Sequence, residues 1–183
     1  MMKCDHNDDP EHAPAAADAS RRGFVQLAAL GAGAALLSAT PAARAAGGTD
    51  VLLLSCMDFR LMDEIEHYMT KRGLRNKYDH VVLAGASLGA VTDKFPAWNK
   101  TFWEHLDIAI KLHNIHTVMV MDHRDCGAYK VVVGPEHAKD KATETAAHAK
   151  QLGALRAQLV EKHQKLKVET LLMAIDGKVE KIG

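Results

Sequence analysis

The chain has 183 residues with 23 basic and 23 acidic side chains, so its formal net charge is zero. That balance gives no electrostatic case for nucleic acid or an anionic membrane surface as partner, and an aromatic content of 5% supplies no base-stacking surface. No internal repeat or low-complexity tract breaks the part beyond residue 45.

Taken in chain order, the first segment reads as an address. Residues 1–19 are polar, rich in Ala and Asp, and expected to be disordered. Ser20-Arg21-Arg22-Gly23-Phe24-Val25-Gln26 resembles a twin-arginine export motif. An apolar stretch runs from Phe24 to about Leu37, and Ala43-Arg44-Ala45 makes an A-x-A cleavage pattern. Residues 1–45 are therefore expected to be a leader with a signal peptide, sending the chain to the periplasm by the twin-arginine route. The apolar run is short and rich in small residues for a membrane span. Cleavage would leave no stable membrane association; the competing reading is an uncleaved anchor. Residues 46–183 are the length of one domain with one core.

Within that domain, Val51-Leu52-Leu53-Leu54 is a short apolar run, read as a buried strand. Asp63 to Arg72 carries Ile65 and Met69 at helical spacing after Met62, and Gly73 stands where a helix would stop. His80-Val81-Val82-Leu83 reads as a second strand, closed by Ala84-Gly85. Thr101 to His113 reads as a helix with Phe102, Leu106, Ala109 and Ile110 on one face. Thr117 to Met121 is a third strand, its methionines assigned to the core. Glu136 to Gln164 reads as a long helical stretch with Leu152, Leu155 and Leu159 as its apolar seam, and Gly153 as a weak point. Val168 to Ile175 is a fourth strand, followed by an Asp176-Gly177 turn. His137, His148 and His163 are assigned to a solvated helix face.

Apolar strands alternating with helices predict an α/β fold: a central, mostly parallel sheet of about four strands, in the order 2-1-3-4, flanked by helices. Such sheets bind ligands outside the carboxyl ends of the strands, where the strand order reverses. Cys56 lies just past the first strand. His123 and Cys126 lie just past the third, so that order brings all three side chains together.

Two thiols and an imidazole suit zinc, and three protein ligands leave a fourth position open for chemistry. The competing reading of Cys56 and Cys126 is a disulfide or a pair of inert buried thiols. Cys56-x-Asp58-x-Arg60 adds a carboxylate on the same side as Cys56, with an arginine that can hold it ionised. Asp58 could close the metal's fourth position, or accept a hydrogen bond from a metal-bound hydroxide and aim it.

Cys56-x-Asp58-x-Arg60 followed by His123-x-x-Cys126-Gly127 resembles the β-class carbonic anhydrases. The likeness runs from about Val51 to Ile175 and includes Val81-Val82-Leu83-Ala84-Gly85-Ala86 as the second strand and its turn. The resemblance implies a lyase that hydrates CO2 reversibly to bicarbonate and a proton. It implies Zn2+ on Cys56, His123 and Cys126, an Asp58–Arg60 catalytic dyad, and a homodimer. His80 and His67 are candidates to pass the proton to solvent. Asp122 and Arg124 depart from the family pattern and are expected to add charge beside the metal. The segment Ser87 to Lys100 maps onto no family pocket pattern. The alternatives are a non-catalytic zinc-binding or thiol-redox protein on the same fold, or a hydrolase of a CO2-like molecule such as carbonyl sulfide or carbon disulfide.

Overall fold

The computed structural model describes residues 49–183. The leader, the export motif and Cys4 lie outside the described residues. Four strands run parallel: β1 (Val51–Cys56), β2 (Tyr78–Leu83), β3 (Thr117–His123) and β4 (Lys167–Met173). A fifth, β5 (Val179–Lys181), pairs antiparallel with β4, and the sheet order is β2-β1-β3-β4-β5. The expected order 2-1-3-4 is therefore present, with one edge strand added. β5 is three residues of Val-Glu-Lys beyond the Asp176-Gly177 turn, too short and polar to carry a strand signal.

The helices are α1 (Met62–Lys71), α2 (Ser87–Val91), α3 (Pro96–His113), α4 (Gly127–Val132) and α5 (Lys141–Lys162). Both sheet faces are covered. Leu52 and Leu54 of β1 join Val118 and Val120 of β3 against Phe102, Leu106 and Ala109 of α3 and the Leu152–Leu155–Leu159 seam of α5. On the other face Leu53, Met119, Met121 and Leu171 pack against Ile65 and Met69 of α1. All six β1 residues are buried, which is why the strand runs apolar from Val51 to Leu54 instead of alternating, and its one polar residue, Ser55, bonds to His80.

Helix ends follow local chemistry. Gly73, at φ 73°, closes the turn after α1, with its N–H on the Thr70 carbonyl. α3 begins earlier than the apolar periodicity suggests, because Pro96 is favourable in a first helical turn. α5 begins later than expected. Pro135 to Ala138 form a separate 3-10 turn, and Asp140 caps the helix by accepting from the Thr143 N–H at 2.7 Å. Gly153 sits inside α5 without breaking it. Among the described residues, no helix is long and apolar enough to cross a membrane.

Candidate metal centre

β1 and β3 pair in parallel with Ser55 opposite Met121, so their carboxyl ends lie side by side. Cys56 ends β1 and His123 ends β3. Cys126 follows a two-residue link and stands immediately before α4. One ligand atom from each of Cys56, His123 and Cys126 lies within 4.8 Å of the others, and all three residues are buried. The two sulfurs are 3.9 Å apart and the cysteines are free, so the disulfide reading does not hold in this structure.

The surroundings orient each donor atom. The Gly85 N–H donates to Cys56 Sγ at 3.3 Å. Gly85 has φ 75°, and a side chain there would bring its Cβ within 3.1 Å of the Ala128 Cβ, so the close approach needs glycine. His123 Nδ1 donates to the Arg124 carbonyl at 2.8 Å, because a carbonyl can only accept. Its Nε2 then carries a lone pair, and that atom is buried with no hydrogen-bond partner. A buried orphan lone pair aimed among two thiols is costly unless a cation fills the gap. The donor set fits a thiophilic metal ion.

Electrostatics carry the same message. The hydrogen bond from Cys126 holds the Cys56 thiol well below the usual thiol range, against burial and with help from His123 and the Gly85 N–H. Cys126 is pushed up by that same hydrogen bond and by burial. Two thiols this close cannot both ionise unless a positive ion joins them. Burial opposes a charge on His123, but its contacts with Cys56, the Arg124 carbonyl and Asp58 raise its basicity.

Asp58 sits beside the three donors. Its Oδ1 accepts from the Arg60 backbone N–H at 3.1 Å and from Arg60 Nε at 2.9 Å, and its Oδ2 accepts from Arg60 Nη2 at 2.8 Å. Those bonds, chiefly the side-chain pair, lower its carboxyl to about 2. Asp58 Oδ2 also lies 3.8 Å from His123 Nε2. The carboxylate thus faces the space between the donors, with one oxygen fully engaged and the other half engaged.

Cys56 and Asp58 open onto a cavity of about 380 Å³ whose other walls are apolar, among them Ala84, Phe95, Trp98 and Ala128. Phe95 and Trp98 stack with ring centroids 4.1 Å apart. Met57, Phe59 and Val131 line the same cavity and are strongly exposed, Phe59 at 85% and Val131 at 76%. His80 and His67 are not among its lining. His80 lies opposite Leu53, well below the strand ends, and contacts Ser55 Oγ at 2.7 Å, while His67 lines a separate cavity beside Lys71 and Arg72.

Two expectations are corrected. Asp122 does not add its charge beside the three donors, because neighbouring strand residues point to opposite faces. It is 1% exposed and accepts from Ser87 N at 2.9 Å, Ser87 Oγ at 2.7 Å, Tyr129 OH at 2.5 Å and His148 Nδ1 at 2.9 Å. Arg124 likewise turns away and pairs with Glu144 at 3.0 Å and Glu180 at 3.3 Å. His137 and His148 are buried rather than solvated, and His163 is half-buried against Trp103. The sequence did hold a sign of this for His148, which lies four residues before Leu152 on the apolar seam. Ser87, Tyr129, Asp125 and Glu144 carried no sequence signal, since their partners come from other elements.

Residues 46–183 match the family described as "Putative carbonic anhydrase". An uncharacterized protein of Rickettsia conorii is 47% identical over 131 residues, covering 72% of this chain and 70% of its own. One from Rickettsia bellii is 44% identical over 131 residues, covering 72% and 80%. Among solved structures, the carbonic anhydrase of Streptococcus mutans superposes with a TM-score of 0.51 at 19% identity, over 90% of this chain and 98% of that one. The β-carbonic anhydrase CafA of Aspergillus fumigatus gives 0.52 at 15% identity, over 90% and 89%. At such identities the likeness is one of fold. The chain belongs to this carbonic anhydrase family, as a diverged member that keeps the β-carbonic anhydrase fold.

Proposed function

We propose that the chain is a zinc-dependent lyase that interconverts CO2 and bicarbonate, with Cys56, His123 and Cys126 holding the metal and Asp58 and Arg60 as the catalytic dyad. The observation that carries the proposal is the buried, unpartnered His123 Nε2 set among two free thiols, with Asp58 Oδ2 3.8 Å away. Zinc held there would supply a Lewis acid that makes water a nucleophile near neutral pH.

The chain's own residues account for the rest. Asp58 is ionised at neutral pH and can only accept a hydrogen bond. Its Oδ1 is occupied by Arg60, and Oδ2 keeps an acceptor direction free. That free direction holds a nucleophilic oxygen by its O–H and turns the oxygen's lone pair towards the cavity. Arg60, bonded to both carboxylate oxygens, would hold Asp58 back from becoming a further ligand to a bound metal, which favours an open site. The apolar walls at Ala84, Phe95 and Trp98 suit a small uncharged molecule such as CO2.

The exposed Met57, Phe59 and Val131 at the cavity support covering by a second copy of the chain, so the working form is a homodimer. Residues 1–45 serve as a twin-arginine leader that sends the chain to the periplasm; fractionation of cells expressing the full chain tests that.

Stopped-flow CO2 hydration tests the proposal, with metal content and free thiols determined on the same sample. One zinc per chain, two protected thiols and a rate above the spontaneous reaction between about pH 6.5 and 9 are expected. Zinc without turnover assigns a binding role instead, and turnover of carbonyl sulfide or carbon disulfide in place of CO2 assigns the hydrolase reading.

A further inference from the structure

We infer that Glu144, on the first turn of α5, is a positioning residue for the candidate metal centre: it fixes the Arg124–Asp125 link that joins two of the three donors and, through Asp125, the Arg60–Asp58 pair. The inference rests on the metal reading above. Glu144 is 8% exposed, and its side-chain hydrogen bonds go to Arg124 and Asp125 and not to the three donor side chains. Its two carboxylate oxygens are divided between neighbours in the link. Oε1 accepts the Asp125 backbone N–H at 2.6 Å, and Oε2 accepts Arg124 Nη1 at 3.0 Å.

The link needs this support. Asp125 has φ 56°, a left-handed backbone that side-chain-bearing residues seldom adopt, though Asp tolerates it better than most. With its N–H on Glu144, its carbonyl and Oδ2 face the other way and accept from Arg60, at 3.0 Å and 2.8 Å. Arg60 therefore reaches both Asp125 and Asp58, so the dyad is tied to α5 through one residue. The Arg124 backbone is held as well. Its N–H goes to the Met173 carbonyl at 2.9 Å, and its carbonyl accepts from His123 Nδ1. A shift of the link would move the acceptor that sets the His123 tautomer, the approach of Cys126, and the arginine that aims Asp58. Groups that orient ligands without touching the metal have large effects on its affinity.

The test compares the whole chain with Glu144→Ala, Glu144→Gln and Glu180→Ala. Glu180 is the exposed partner of the same arginine and serves as the control. Cobalt(II) is the probe, read by its visible absorption and by competition with a chromophoric chelator. Amide exchange at Asp125 is followed in the metal-free chain. Glu144→Ala is expected to weaken cobalt binding about 10- to 100-fold, alter the absorption bands and deprotect the Asp125 N–H. Glu144→Gln is expected to keep the wild-type bands, since its amide oxygen still accepts from Asp125, and Glu180→Ala to match wild type. Wild-type affinity and bands in Glu144→Ala, with only a lower melting temperature, would overturn the inference. So would Glu144→Gln behaving like Glu144→Ala. If the wild-type chain itself binds no cobalt, the metal reading and this inference fall together. If Asp125 exchanges equally fast in wild type and Glu144→Ala, the link's dependence on Glu144 falls alone.

Discussion

Replacing Asp122 with alanine removes one acceptor group from four donors, all buried. The Ser87 and Tyr129 hydroxyls, 3.2 Å apart, can then share one hydrogen bond, one donating and the other accepting, so that neither oxygen is left wholly without a partner. The Ser87 backbone N–H and the His148 ring N–H are left without acceptors. Changing tautomer gives His148 no relief, because its Nε2 also lacks a partner. Each orphaned buried donor costs about 1–3 kcal/mol, so the two together cost about 2–6 kcal/mol. Relief from burying the carboxylate offsets part of this and favours the lower half of the range. A loss of about 2–4 kcal/mol is expected, a large share of the total stability of a domain this size. Urea unfolding of wild type and Asp122→Ala with a chelator present measures the difference from the midpoints, provided the two slopes agree. The chelator matters because Asp122 adjoins His123 and bound metal would add its own stabilisation. A loss below about 1 kcal/mol, the range of surface substitutions, would refute the reasoning.

Asp58→Asn is expected to lower CO2 hydration by about 100-fold or more while zinc content holds, measured by stopped flow and metal analysis; unchanged activity would remove Asp58 from the mechanism. Because the Asp58 carboxyl is lowered from 3.8 to about 2, its pairing with Arg60 stabilises the fold above pH 3.8 and is lost as pH falls through 2. The stability gap between wild type and Asp58→Asn should therefore narrow as pH falls through that acid window, as followed by unfolding at stepped pH. Ala86, buried between Gly85 and α2, has φ 43° and ψ −102°, so Ala86→Gly is expected to leave stability within about 1 kcal/mol of wild type in thermal or urea unfolding, strain relief offsetting the lost core methyl and the freer unfolded chain, where a loss of about 2 kcal/mol or more would show no strain at this position. In the metal-free chain at about pH 6, iodoacetamide is expected to alkylate Cys56, which lines the cavity and has its thiol held down, ahead of Cys126, which does not line it, and zinc to protect both, read by mass spectrometry.

The parallel sheet was legible because its central strands, β1 and β3, are largely apolar on both faces and its strands are separated by helical runs. The sulfur and imidazole donors were legible because strand ends concentrate function and β1 and β3 share a carboxyl edge. What stayed hidden depends on direction rather than residue type. Asp122 and His123 are adjacent in sequence, yet alternation along β3 sends one into a polar network with Ser87, Tyr129 and His148 and the other to the thiols. Glu144 looked like any solvated glutamate on a charged helix, and only the placement of α5 over the Arg124–Asp125 link gives it partners. The Ser87 helix is five residues long, with too few turns to show a period.

The pairing of β1 with β3 also governs the order in which this site can be assembled. Cys56 and Cys126 are 70 residues apart, and β2 and α3 lie between them in the chain. A chain emerging from the ribosome displays a single thiol of the pair until β3 has been made and has inserted beside β1. That insertion is a non-local, parallel pairing, the slow kind, because a long loop must close before any contact rewards it. Neither segment alone offers all three candidate ligands, since Cys56 stands on one and His123 with Cys126 on the other, so a full set would come together only in a sheet whose centre is already built. Uptake of a metal by all three would therefore report folding late, and a chain arrested before β3 docks keeps each sulfur isolated from its partner.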